Sequence, residues 1–574
     1  MMIKFPSHIN PARITVSLVR VDEVVPSPLT NVQQVLARGN PVWKWNYEYV
    51  DLSESERDIV QAFLMKCRGA VNTFKVTDPA DYEIKGSISN WIDVFSGFGS
   101  FNVTAGSGTS KVNSWFDHAA RFVSHITEEQ MVRFEWRTDT SAGNLQWRGH
   151  GGGSGIVNSL EIGKAYLHRI KLFNLNNTAV SFSVGSDTSD FYYLQSAPND
   201  TSSDGIISVP FVTDVNTVRA RVVNWNVLGT NIGDHFEHAD YRLARCALVS
   251  NSENLLTRSN EFDHADWSPF MINVDSGYGD ASPTGVTSGA WKLYVDASVN
   301  TIHTISQAFT KINTEDMYTH AIYARASELD IIELSIVSAA GEENFAKFYL
   351  DPSSGNAGPV TNDGTHIRGF AKMWDVGSDW FRCQMSGIVS SNSQLTSFVR
   401  LADTAGNTQF TGNGSDGIEI FGGQLRKFPF MGQYVPTVAS AIVGTDSQTG
   451  SQLYVDGLDS EDIIKSGQRF ELLNQLSNVD SNHFERSEFK RITKELRVHR
   501  EGYVELNFDP PIRNAPETNR SWQQSGHLGE TIHNPVIFHQ PEMKVRLING
   551  TIIYTDKSLK ATDLNFDIIE DMTE

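Results

Sequence analysis

Cysteine is almost missing from this sequence. There are three in 574 residues, Cys67, Cys246 and Cys383, far apart and in no CxxC pair. That spacing offers neither a disulfide framework nor a thiolate cage for zinc, and it suits folding in a reducing compartment. Basic residues are also short. Lys and Arg number 47 against 68 Asp and Glu, a formal net charge of −21. No block is rich in Lys or Arg. A protein that clamps a phosphate backbone needs a basic face, so no nucleic-acid partner is expected. No apolar run approaches the length of a membrane-crossing helix, so no membrane span is expected. The first eight residues lack the apolar core of a secretory signal, and synthesis and assembly in the cytoplasm are the expectation.

What is present reads as a mainly β, multidomain chain. Its length suggests several domains. Short alternating runs, separated by Ser, Asn, Asp and Gly clusters, dominate. Residues 1–86 carry the one clear helix. From Trp43 to Tyr49 aromatic and polar residues alternate, which predicts a strand with one aromatic face. Ser53 then caps a helix, and Glu56 completes a capping box. Ile59, Phe63 and Cys67 form its apolar stripe. Gly69 stands where a glycine would end it, and Phe74 and Val76 begin a new strand. Residues 87–245 predict a β-sandwich, with strands near 132–136, 165–173, 180–184 and 218–225. Residues 246–439 predict a second one, with strands near 291–295, 319–325, 331–337, 346–350 and 418–425. Residues 440–574 return to other strands. Among these, Phe508 leads into Asp509, Pro510 and Pro511, which should stop its strand. The acidic tail from Asp567 to Glu574 reads as a surface or interface segment.

Motifs for chemistry are scarce. The glycine-rich stretch 149–155 lacks the Lys-Ser/Thr and following helix that a phosphate loop needs. His235 and His238, with Asp234 and Asp240 nearby, read as a polar strand end rather than a zinc site. There is no nucleophile elbow and no HExxH. The expectation is a protein that is not an enzyme and takes no metal or cofactor.

The opening unit resembles the N-terminal region of phage distal-tail and minor-tail proteins. The resemblance rests on the aromatic strand 43–49, the helix through Ala62, Phe63 and Leu64, then Arg68 and Gly69, and Phe74 to Asp78 and Pro79. The second sandwich is similar to the carbohydrate-binding-like jelly rolls of phage head-spike, fibre and tail-tip proteins. It opens Asn254, Leu255, Leu256 and continues through Trp267, Trp291 and Trp380. It closes on Ile420 to Leu425 and Tyr434 to Thr437. Gly450 to Leu453 and Phe508 to Arg513 also resemble the end of such tail proteins. The resemblance implies a split tail-protein body, 1–86 with 440–574, interrupted by two inserted β-sandwich (jelly-roll) domains, 87–245 and 246–439. It implies a structural virion protein at the tail tip, assembled in the host cytoplasm. That protein would be a homo-oligomer, a hexameric ring, linking the tail tube and hub to receptor-binding proteins. Its inserts would touch host cell-surface glycans. A head or tail fibre decoration protein, or a glycan-active enzyme with binding modules, are the alternatives.

Sugar faces stack on aromatic rings. Trp147, beside Gln146 and Arg148, and the consecutive Tyr192 and Tyr193 are therefore the candidate glycan-binding residues. Consecutive strand residues cannot all face one core. Trp267, Trp291 and Trp380 read as core.

Overall fold

The computed structural model describes residues 9–19, 42–77, 160–176, 235–250, 252–276, 289–310, 317–339, 368–388, 394–442, 450–460, 462–475, 486–512, 541–548 and 561–570 continuously, with the shorter strands and segments named below. The chain is mainly β, and Glu54–Cys67 is the only α-helix among the described residues.

The two ends of the chain share one sheet. Its strand order is Arg13–Val19, Val42–Leu52, Ala561–Glu570, Glu542–Leu547 and Thr73–Thr77, and Ile553–Ser558 pairs with the remaining part of Ala561–Glu570. Trp43, Trp45, Tyr47 and Tyr49 all face inward and are buried. Tyr47 and Tyr49 stack on Phe566, at 5.7 and 5.9 Å between ring centroids. Trp43 and Trp45 meet the edge of Phe489 at 6.1 and 6.0 Å. The aromatic face is thus covered within the chain and is not left for another copy.

The helix lies against the same core. The Ser53 hydroxyl accepts from the Glu56 N–H, and the Glu56 carboxylate accepts from the Ser53 N–H at 2.9 Å. A cap of this kind contributes about 1 kcal/mol. Val60, Phe63, Leu64 and Cys67 are its buried stripe, while Ile59 is only partly covered. The left-handed turn begins one residue before the expected glycine. Arg68 has φ 50° and Gly69 has φ 66°.

The acidic tail is not a surface segment as far as Glu570. Leu564, Phe566 and Ile568 alternate with Asp563, Asn565 and Asp567 in a strand paired on both sides. Lys44 pairs with Asp567 at 2.7 Å, and Glu570 accepts from the Trp43 N–H. The acid groups have partners, so their charge did not keep the segment out of the sheet. Residues 571–574 lie outside the described residues.

A closed six-stranded barrel adjoins this sheet. Its order is Ala247–Val249, Gly450–Asp456, Tyr503–Ile512, Arg486–Ile492, Arg469–Gln475 and Pro535–Ile537. Ala247–Val249 heads the segment read as the second sandwich, yet it is a barrel strand. Tyr503–Ile512 also runs straight through Pro510 and Pro511. The prolines do not stop it because they sit where the ladder is already broken. On the neighbouring strand, Gln452 faces Asn507 and Gly450 faces Ile512, so the long side of an irregular bulge holds both rings. Proline is tolerated where no ladder hydrogen bond is required.

The chain therefore leaves the end-to-end sheet after Thr77 and builds the first sandwich. It enters the barrel for one strand, leaves again for the second sandwich, and returns at Gly450. The first sandwich has one sheet ordered Gly205–Val212, Ala165–Asn176, His235–Arg245, Val132–Trp136 and Phe122–Ile126, and a second sheet centred on Val218–Asn224 and Gly143–Arg148. In the second sandwich one sheet runs Ser268–Phe270, Thr304–Thr310, Gln394–Ala402, Ile331–Ser338, Glu343–Tyr349 and Asn356–Ala357. The other runs Ile272–Ser276, Trp291–Val295, Gly417–Arg426, Met317–Ala326, Trp380–Ile388 and Arg368–Gly377. Leu293, Ile322, Ile332, Leu334, Phe348, Val399 and Ile420 fill the space between them. Trp267 and Trp380 are buried, and Trp291 packs against the core from a partly exposed position.

Buried ion pairs tie these units together. Glu471 of the barrel receives Arg169 of the first sandwich at 3.0 Å and Lys75 of the end-to-end sheet at 3.1 Å. Arg426 of the second sandwich meets Asp456 and Ser250 of the barrel at 3.3 and 2.8 Å. Arg382 pairs with Glu501.

His320 is fully buried in the second sandwich. Burial pushes its pKa from 6.5 down to about 4. The unfolded chain takes up this proton near pH 6.5, and the folded one refuses it until about pH 4. The stability this represents is complete above pH 6.5 and is lost as pH falls to 4, about 3 kcal/mol in all. His320→Leu should flatten that acid limb in denaturant unfolding followed from pH 7 to 4. An unchanged slope would assign the limb to other groups.

Candidate glycan-facing sheet

Among the described residues, the second sandwich is held by one of its two sheets. Arg382, Tyr323, Gln424 and Arg426, which make or support the barrel contacts, all belong to the sheet containing Met317–Ala326 and Trp380–Ile388. The other sheet faces away from these contacts. Its inward residues are Ile305, Ile332, Leu334, Ile336, Ala346, Phe348, Leu395, Val399 and Leu401. Strand alternation sends the residues between them outward.

The outward residues form ordered rows. Ser306, Phe398, Ser335 and Phe345 stand side by side across four strands. The next row is Thr304, Arg400, Glu333 and Lys347. Phe398 and Phe345 are half-buried and lie two strands apart, roughly 10 Å at ordinary ladder spacing. Tyr349, 40% exposed, follows Lys347 on the same side. Arg400 pairs with Glu333 at 2.9 Å and with Glu343, and its guanidinium lies 4.9 Å from the centre of the Phe398 ring. Burial raises the Glu333 carboxyl above its usual range, against the pull of Arg400.

Two donors in these rows have no partner. Ser335 Oγ, between the two phenylalanines, and Arg400 Nε are buried and make no hydrogen bond among the described residues. Buried polar atoms are ordinarily satisfied. Two partly exposed aromatic rings beside a neutralised charge cluster are chemistry suited to an uncharged ligand that presents an apolar face.

The residues singled out from sequence fall elsewhere. Trp147 lies in the strand Gly143–Arg148 of the first sandwich, in register with Trp115. Tyr192, Tyr193 and the glycine stretch 149–155 lie outside the described residues. His235 is the first residue of the strand His235–Arg245, and its Nδ1 is 2.9 Å from Arg133 Nη2. No three His, Cys, Asp or Glu side chains converge as a metal set among the described residues. All three cysteines are buried. Burial pushes the Cys67 thiol up to about 12 and raises the other two, so none is primed as a nucleophile.

Sequence reading missed Phe398 and Phe345. A signal was present. In Gln394–Ala402, Leu395, Val399 and Leu401 mark the inward side, which leaves Phe398 as an aromatic residue on the polar side.

No protein-family model matches the chain, and no curated protein matches it. Among solved structures, the N-terminal tandem CBM22 domain of Xyn10C from Paenibacillus barcinonensis is similar at 9% identity, covering 60% of this chain and 100% of that one, with a TM-score of 0.19, too low to bear on fold or ligand.

Proposed function

We propose that the chain is a non-enzymatic structural protein of a phage tail tip, whose second sandwich offers its outer sheet to a cell-surface glycan. The observation that carries this reading is the nesting of both sandwiches within one body. Chain ends that share a sheet make each sandwich a long excursion from a common core, the form in which insertions are tolerated. Among the described residues the second sandwich is fixed through one sheet, and Phe398, Phe345 and Tyr349 on the outer side of the other are partly exposed. The resemblance of the opening unit to distal-tail proteins supports the place in the particle. A ring of copies, hexameric on that resemblance, remains part of the proposal, with tail tube, hub and receptor-binding proteins as neighbours. Its contacts must use a surface other than the aromatic strand face, which the chain covers itself.

Two measurements test it. Imaging of particles carrying a labelled chain should place the label at the tail tip, and a label on the capsid would favour the decoration reading. On a glycan panel, Phe398→Ala should weaken binding by the full-length chain about tenfold, equivalent to about 1.4 kcal/mol. Phe345→Ala should act alike, and Trp147→Ala should not. Loss of binding with Trp147→Ala alone would move the site to the first sandwich.

A further inference from the structure

A third junction joins both sandwiches and the barrel, and its charges do not balance. The turn before Ala165 carries Glu161, Gly163 and Lys164, and Arg245 ends the neighbouring strand. Lys164 and Arg245 both pair with Asp459 of the barrel and occupy its two oxygens. Against this cluster the second sandwich sets Lys372. Its amino group donates to the Gly163 carbonyl and lies 5.5 and 5.6 Å from the Phe370 and Phe430 ring centres. Among the described residues it has no carboxylate partner. Gly163 has φ +70°, and a Cβ there would fall 2.6 Å from Lys372 Cε and 2.7 Å from the Phe370 ring. The turn is glycine because the second sandwich rests directly on it.

We infer that this seat is a proton-operated latch between the two sandwiches: it closes when Lys372 is neutral and loosens when Lys372 takes a proton. The groups facing the amine are Lys164, Arg245, Asp459 and Glu161. Two cations stand close, and the nearer carboxylate is already shared between them. The ring faces and the one carbonyl compensate a cation only in part, because a third cation must be desolvated beside the other two. Desolvation is the larger effect, followed by Lys164 and Arg245, and together they bring the Lys372 pKa from 10.5 down to about 7. When the seat opens, the amine returns to water and its ordinary pKa. The closed seat therefore binds fewer protons between pH 7 and 10.5. Closure is favoured at the top of that window, weakens as pH falls through it, and is constant below pH 7.

Hydrogen exchange on the full-length chain, corrected for intrinsic rates, tests this on peptides covering 160–164 and 368–373. The opening equilibrium should rise about fifty-fold from pH 9 to pH 7, as one proton with those two pKa values requires. Lys372→Met should remain protected with no pH slope. Lys372→Arg should exchange quickly across the whole window. Gly163→Ala, which props the seat apart, should match the open state and calibrate it. A wild-type protein without slope, or Lys372→Met with the slope intact, would overturn the latch. If Lys372→Met misfolds, carbon NMR of the isotopically dimethylated wild-type lysines decides. A Lys372 resonance titrating near 10 would exclude the mechanism, and one near 7 that moves to the ordinary value in Gly163→Ala would uphold it.

Discussion

Expressed alone, residues 1–86 should give no cooperative unfolding transition. The strand Val42–Leu52 needs Ala561–Glu570 as a neighbour, and Thr73–Thr77 needs Glu542–Leu547. The aromatic core of this unit is completed by Phe489, Val545, Phe566 and Ile568, all absent from the fragment. Without them Trp43, Trp45, Tyr47 and Tyr49 face water. Truncating a single large aromatic in a core costs about 3–5 kcal/mol, and here several lose their cover together. That exceeds what a domain of this size has to spare. Joining 541–574 to 1–86 through a short linker should restore a transition, less stable than in the whole chain because Phe489 is still missing. Thermal unfolding by circular dichroism checks both. A soluble 1–86 fragment with a sharp melt would show that the helix and the fragment's own strands suffice.

Much of this was legible, and the part that was not has a physical cause. The alternation of Trp43 to Tyr49 and the Ser53–Glu56 box are local signals, and both elements form where they point. Residues 291–295, 331–337 and 418–425 lie in strands for the same reason, since period-two alternation is a property of neighbours. Ala247–Val249 carries no such signal. Three residues cannot display a period, and only closure of the barrel makes them a strand. Pro510 and Pro511 misled because a proline's effect depends on whether the facing residue offers a ladder bond, and that residue lies on another strand. The acidic tail misled because its charge was judged without Lys44, whose pairing with Asp567 spans almost the whole chain. The outward rows of the second sandwich lay between these cases. Which side of Gln394–Ala402 is polar was readable, but that Phe345 stands beside Ser335 is a matter of register.

The second large effect concerns how the second sandwich is seated. Glu501→Ala should weaken that seat by about 3–5 kcal/mol while leaving the sandwich itself folded, because removing one partner of a buried pair leaves a charge without compensation. Arg382 is fully buried, and after the loss of Glu501 it keeps only the Gln424 amide oxygen at 2.9 Å, the Gly432 carbonyl at 2.7 Å and the face of Tyr323. Tyr323 also loses the acceptor for its hydroxyl, 3.3 Å away. The core of Leu334, Phe348 and Val399 lies on the inner side of both sheets and does not depend on this pair. An undocked sandwich can return Arg382 to water, so the cheapest response is separation rather than unfolding. Denaturant unfolding should accordingly divide into two transitions, with hydrogen exchange in Trp380–Ile388 rising before any change in Ile331–Ser338. Glu501→Leu combined with Arg382→Met should recover most of the loss, because a buried pair and a well-packed apolar contact are nearly equivalent. If Glu501→Ala leaves one transition at its original midpoint, the pair does not hold the seat. The Arg426, Asp456 and Ser250 contacts, with the Lys372 seat on Gly163, would then hold it.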